Sequence, residues 1–419
     1  MTVLLPFVVL LLAYGLVSGR LEKTSLTPPI VFTAAGFALG LAVPALRDRQ
    51  GDPAVVLPIA EIGLVFLLFT DASRTDLDVL RRIRSLPARL LSTGMLLTLV
   101  LGAAAALLVF PGLSLWEAGI LSAILAPTDA GLGQIVVSSE KVPMRIRQAL
   151  NVEAGLNDGL SVPFLLFFLA LARTVAGGSP EHLTRFVVEQ LGYGAAIGVG
   201  VGLAGGWALG WASRRGWLLS SFRQIAVVTL PLLCALASEP AGASMFIAAF
   251  VGGLAVQVGF AGAGRESVEF TEQWGQVFNL FVFFLFGVLV ARRGGDLTGR
   301  AVAYAVLSLT LVRMLPVAVA LLGTRLSRAT VLFMGWFGPR GLASIVLALV
   351  FMESGAPLSG ERTILTAVVA TVLISIFAHG LSARRGIDAY AASLGALGAA
   401  APEREGAGVE AVPPSGAKR

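Results

Sequence analysis

Asp129, Glu153, Asn157, Asp158, Arg313 and Arg340 fall inside stretches that are otherwise apolar, and side chains of these types suit the binding of small ions rather than covalent chemistry. A carboxylate shut away from water can hold a proton or a metal cation, and loading either one removes its charge. Residues 151–159 read NVEAGLNDG. At about 100° per residue, a helix puts Glu153 and Asn157 on one face and turns Asp158 toward the face of Ala154 and Ser161. The two acids point in different directions, so one can serve an ion path while the other is held by a structural partner. Two unpaired carboxylates in hydrocarbon would cost at least several kcal/mol, so both must face protein or water.

Two segments supply what such acids need. APTDAG, ending at Gly131, places Pro127 and Asp129 near the middle of a run otherwise long enough to cross a bilayer. Proline removes a donor and clashes with the preceding turn, and Gly131 and Gly133 loosen the next turn, which predicts a break at the membrane midplane. Unwound backbone there frees carbonyls for a cation and leaves helix dipoles facing the gap. The second segment, GWFGPRGLAS, surrounds Arg340 with Gly335, Gly338, Pro339 and Gly341 and brings a cation to partner the acids. Arg313, within another apolar run, needs a partner of its own and can balance an acid in the core. Glu61, Asp71, Gln276 and Asn279 read as packing or cavity-lining groups, and His182 and His379 as solvated or satisfied histidines.

The elements that must position these residues follow from composition. The chain has 419 residues, 56% hydrophobic and 13% charged, with a mean hydropathy of +0.85. That places it in lipid. Apolar runs of about twenty residues recur along it, and strict alternation is missing, so it is predicted to be an all-α polytopic membrane protein of about thirteen spans. Residues 1–385 form the membrane domain, with a core over about 87–172 and 272–382 and a scaffold or dimer part made from the other helices; 386–419, rich in Ala, Gly, Pro and charge, is expected to be a disordered tail. A broken span followed by an intact one occurs at spans five and six and again at twelve and thirteen. This order predicts inverted six-helix repeats whose breaks cross at the midplane.

The net charge of +6 and pI near 10.1 do not indicate nucleic acid, because the basic residues lie in short loops between spans. Alternate loops hold about 21 Lys and Arg against about 8, a bias that puts the N-terminus outside and the C-terminus in the cytoplasm of a cell inner (plasma) membrane. Cys234 alone can form neither a disulfide nor a metal framework. Short loops and the lack of a nucleophile–base or metal-ligand set argue against an enzyme. Gly198, Gly202, Gly206 and Gly210 share one helix face, suited equally to a dimer seam or to packing within one protomer.

PTDA at 127–130, EAGLNDG at 153–159, GPRG at 338–341 and FAHGLS at 377–382 resemble the marker segments of the monovalent cation:proton antiporter family, in its Na⁺/H⁺ exchanger and NhaP-type branch, with order, spacing and hydropathy agreeing over about 1–385. The resemblance implies a homodimer with a mobile core, and no cofactor beyond the transported Na⁺, Li⁺ or K⁺ and the proton. It implies that Asp158 binds cation or proton with help from Asp129 and the Thr128 backbone, and that Glu153 pairs with Arg340. Two positions depart from the pattern: Ala154 stands where the family commonly has Ser, leaving Ser161 or water to assist, and Pro339 precedes Arg340. An uncharged Asn157 predicts one proton per cation and no net current. Two other readings are a sodium-coupled symporter of the same fold, disfavoured by the charge set, and a cation channel or sensor, disfavoured by the lack of a repeated filter loop.

Overall fold

Apolar runs as long as a bilayer is thick can satisfy their backbone in hydrocarbon only by coiling. The computed structural model describes residues 3–21, 24–43, 53–74, 85–175, 188–260, 268–293, 296–355, 358–395 and 401–404. Among them are helices and no strands. His182, the loop cations Lys23, Arg81, Arg82, Arg84 and Arg265, and the tail beyond Arg404 lie outside the described residues. In chain order the helices are α1 (Leu4–Leu21), α2 (Pro28–Ala42), α3 (Pro53–Arg74), α4 (Leu86–Val109), α5 (Leu115–Ile124), α6 (Ala130–Ser138) and α7 (Met144–Val175). Next come α8 (Val188–Arg214), α9 (Ser220–Ser238), α10 (Met245–Gly259), α11 (Val268–Arg293), α12 (Gly299–Ala320), α13 (Arg328–Trp336), α14 (Leu342–Glu353) and α15 (Glu361–Gly395). Eight of these, α1, α4, α7, α8, α9, α11, α12 and α15, are each long and apolar enough to cross a membrane, and α2, α5, α10 and α14 are shorter apolar helices. Leu12, Leu16, Leu108 and Val258 point outward and exposed, as a lipid-facing surface requires.

Glycine lets the backbones come together. The four-residue glycine stripe of α8 lies on α10 of the same protomer. A Cβ at Gly198, Gly202, Gly206 or Gly210 would stand within 2.5 Å of a main-chain oxygen of α10. The stripe is therefore spent on packing inside the protomer. α2 and α11 meet the same way, with Gly36 against the Phe284 carbonyl and Gly287 against that of Thr33.

The expected disorder from residue 386 needs correction. α15 runs on to Gly395, because Ile387, Tyr390 and Leu394 recur at helical spacing and bury one face against Leu326, Phe333 and Phe337. The overall Ala and Gly content of the tail hid that periodicity.

Both expected interruptions are present. Ser114 and Glu117 form a capping box that starts α5. The helix stops before Pro127, which disfavours helical conformation at Ala126. Asp129 then starts α6, its Oδ1 accepting the Leu132 N–H at 2.9 Å. On the other side, Ser327 caps α13, the chain unwinds over Gly338 to Gly341, and α14 restarts at Leu342. The two unwound segments touch, the Asp129 N–H donating to the Pro339 carbonyl at 2.8 Å.

Candidate functional site

Four helix ends converge where the interrupted spans cross, and their partial charges must be met. The N-terminus of α14 has no side-chain cap of its own, since its N-cap residue is Gly341. Asp129 supplies one from the other span: its Oδ2 accepts the Leu342 N–H at 2.5 Å while Oδ1 caps α6. One carboxylate thus closes the positive ends of two half-helices. At the negative end of α5, Arg340 answers with its guanidinium, Nη1 donating to the carbonyls of Ala126 and Pro127 at 2.8 and 2.9 Å. Arg340 is completely buried, and its own N–H donates to Ser375 Oγ at 2.6 Å.

This geometry corrects the expected Glu153–Arg340 pair. Glu153 is held instead by Arg313 of α12, in a two-point bridge of 2.5 and 2.9 Å between buried side chains. Arg340 is committed to the α5 carbonyls, leaving the acid on α7 to the other intramembrane arginine. Gly338 explains part of this choice, since a Cβ there would lie 2.2 Å from Arg313 Nε, so the glycine makes room for the guanidinium.

Asn157, on the same face of α7 as Glu153, reaches α5–α6 rather than open space. Its Nδ2 donates to Thr128 Oγ1 at 2.6 Å and its Oδ1 accepts the Thr128 N–H at 3.2 Å. The reciprocal pair locks the unwound segment to α7. Ser161 turns its hydroxyl back to the Asp158 carbonyl at 2.7 Å, within its own helix.

Asp158 differs from all of these. It is buried, 3% exposed, yet its Oδ1 has no hydrogen-bond partner among the described residues. The charged groups whose field reaches it are Asp129, Asp71 and Arg340. The Nε and Nη2 atoms of Arg340, Asn279 Oδ1 and Ser344 Oγ are likewise buried without partners. A buried carboxylate oxygen without a partner, near Asp129 and Glu153 whose oxygens are engaged by protein, has the chemistry to take a cation or a proton. A crevice of about 10 Å³, room for one water, lies beside Thr128, Asp129, Glu153, Ala154 and Pro339 and reaches the exposed Asn151. A larger cavity, about 980 Å³, lies elsewhere, between α2 and α15, and has a mostly apolar lining without any of these carboxylates.

Three groups read from the sequence as packing, cavity-lining or satisfied residues take up those roles around the crossing. Asp71 of α3 packs against the glycine one turn before Asp158, where a Cβ on Gly155 would stand 3.3 Å from its own. Asn279 of α11 lies over Gly131. His379 ties the second interruption together: its Nε2 meets the Trp336 carbonyl at 2.9 Å and its Nδ1 meets Ser375, whose hydroxyl takes the Arg340 N–H. The available signal was a polar residue within an apolar run, which does not say what that residue faces.

Gly341→Ala is expected to damage this crossing severely. Its Cβ would lie 2.1 Å from Asp129 Oδ2, so the carboxylate must leave Leu342 and α14 loses its cap. Overpacking and cap loss together should cost roughly 2–4 kcal/mol, read as a lowered unfolding midpoint in detergent, whereas Gly133→Ala, in open space, should be nearly silent.

Comparison with known proteins agrees with this arrangement. A family profile described as "Sodium/hydrogen exchanger, transmembrane" matches residues 7–385. The chain is 26% identical over 388 residues to the K⁺/H⁺ antiporter NhaP of Alkalimonas amylolytica, covering 88% of this chain and 65% of that one. It is 29% identical over 189 residues to the sodium, potassium, lithium and rubidium/H⁺ antiporter of Bacillus subtilis, covering 45% of this chain and 28% of that protein. The chain therefore spans less than two thirds of these relatives. The fold is that of the sodium proton antiporter MjNhaP1 from Methanocaldococcus jannaschii, with a TM-score of 0.71 at 20% identity over 91% of this chain and all of that one. With a profile match over nearly its whole length and two interrupted helices crossing beside buried acids, this chain belongs to the transmembrane sodium/hydrogen exchanger family.

Proposed function

We propose that the protein is a secondary antiporter that exchanges a monovalent cation, Na⁺ foremost with Li⁺ and K⁺ as alternatives, for H⁺ across the cell's inner membrane. The observation that carries this reading is Asp158, a buried carboxylate with an unpartnered oxygen beside the crossing, while Asp129, Asn157 and Glu153 have their hydrogen bonds filled by protein. Proton and cation compete for that one group. Either neutralises it, and an empty charged site is costly to carry through a low-dielectric barrier, which couples the two fluxes. The Thr128 main chain and Asp129 border the site and serve as its further ligands once the caps relax; Ser161 is auxiliary.

The bias of basic residues supports a cytoplasmic position for Lys141 and for Arg145 and Arg147 at the start of α7, with the N-terminus outside. The crevice from Asn151 to Asp129 then opens on the cytoplasmic side. In a homodimer, α4–α7 and α11–α15 would form the moving core, with α11 packing along α2 of the scaffold and reaching Gly131 with Asn279.

Because Asn157 carries no charge and is bound to Thr128, exchange should be one for one and electroneutral. In vesicles containing a pH dye, Na⁺, Li⁺ or K⁺ gradients should drive saturable proton movement whose rate is indifferent to a clamped potential. One uncompensated charge crossing would instead feel roughly 2.3 kcal/mol per 100 mV, and such a voltage dependence would refute the stoichiometry. Flux without any linked proton movement would refute antiport.

A further inference from the structure

The described part of the C-terminal segment, residues 401–404, is docked rather than loose. Glu403 is 1% exposed. Its Oε1 accepts the Ser327 N–H at 2.7 Å and the Thr330 hydroxyl at 2.9 Å, at the first turn of α13. Thr330 is itself fully buried and shares its oxygen with Tyr390 of α15 at 3.0 Å, and the Tyr390 ring stacks on Phe333 of α13. One residue earlier, the Pro402 carbonyl accepts Arg145 Nη1 at 2.5 Å, and Arg145 lies at the start of α7. This short segment therefore stitches together the same-side ends of α13, α15 and α7.

We propose that Glu403 is a positioning residue for ion exchange: it holds the cytoplasmic end of α13 in register with α7, and so fixes where the far end of α13 delivers Pro339 and Arg340 to the crossing. α13 has nine residues, a rod of about 13 Å, so a tilt at one end is passed directly to the other. The far end carries the Trp336 carbonyl held by His379, and then the Pro339 carbonyl that takes the Asp129 N–H. A carboxylate at the near end also suits the positive pole of the helix and satisfies a main-chain N–H there. α7 is the other rod in this linkage, and it carries Asp158. The latch thus ties the helix with the cation-binding acid to the half-helix that shapes its surroundings.

Burial pushes the Glu403 carboxyl up, but the hydrogen bonds from Ser327 and Thr330 outweigh it and hold the group below the usual carboxylate range. The titratable and charged groups about it are Tyr390 of α15 and, through the neighbouring main chain, Arg145 of α7. A depressed folded value means that the latch contributes its stability above the ordinary carboxylate range and loses it only as pH falls through the lower one. It stays closed throughout neutral pH.

The functional arm of this inference rests on the antiport reading, and the test separates the two. In the full chain, Glu403→Ala should speed amide exchange of residues 327–336 by about five- to tenfold, the effect of losing a cap. It should also raise the KM for the driving cation by about threefold or more while the maximal rate stays within about twofold, as for a change in ground-state geometry. Glu403→Gln keeps an oxygen that accepts both hydrogen bonds and should stay near the unmodified protein in both readouts. Thr330→Val removes one donor at equal volume and should move both in the direction of Glu403→Ala by less, which covers the case of an alanine variant that misfolds. Unchanged exchange in 327–336 overturns the latch whatever transport does. Faster exchange with unchanged KM, or a parallel loss of rate in all three variants, overturns the positioning role. Absence of antiport in the unmodified protein fails the earlier reading alone, since the exchange measurement still decides the latch.

Discussion

Asp158→Asn should abolish cation-driven proton movement in vesicles, down to the level of vesicles without protein, and leave a folded molecule. Asn is nearly isosteric, so packing on α7 is kept. The loss is confined to a buried carboxylate that has an oxygen without a hydrogen-bond partner among the described residues. A buried charge without a partner is a burden on the fold, so the unfolding midpoint in detergent should hold or rise while transport vanishes. That opposite movement of activity and stability is the signature of a functional charge. Full exchange by this variant would remove Asp158 from the mechanism.

The second large effect is on the fold. Arg313→Leu should destabilise the protein by about 3–5 kcal/mol, because Glu153 is then left charged and unpaired deep between α7 and α12. Glu153→Gln should do comparable harm from the other side, stranding the guanidinium. Joining the two changes should recover most of the loss, since neither variant partner then carries a charge. Such non-additivity identifies groups in direct contact. Arg340 paired with Glu153 in the same kind of cycle should show a smaller coupling, because Arg340 spends its Nη1 on Ala126 and Pro127. A larger coupling to Arg340 than to Arg313 would sink the reassignment.

The pairings also give the departures at Ala154 and Pro339 a structural setting. Ala154 lines the crevice beside Asp129 without a hydroxyl to offer, and Ser161 is turned to its own helix. Pro339 needs no partner for a missing N–H, and its carbonyl is the acceptor that joins the two unwound segments.

The sequence by itself determined those features of this protein that depend on neighbours along the chain. Apolar run length dictates helices in lipid, Pro127 and Pro339 with their glycines dictate the two interruptions, and helical phase separates Glu153 from Asp158. The same local rules would have extended α15 through Ile387, Tyr390 and Leu394 had the spacing been weighed above composition. Tertiary structure alone decided which arginine meets which acid, since Glu153 is 160 residues from Arg313 and both arginines sit in equally apolar runs. It decided that Asp129 caps a helix 213 residues away, that the α8 glycines face α10 rather than a second copy, and that Glu403 returns to α13. Each of these is set by directional contact over a few ångströms between distant segments, and residue type and spacing carry no record of that distance.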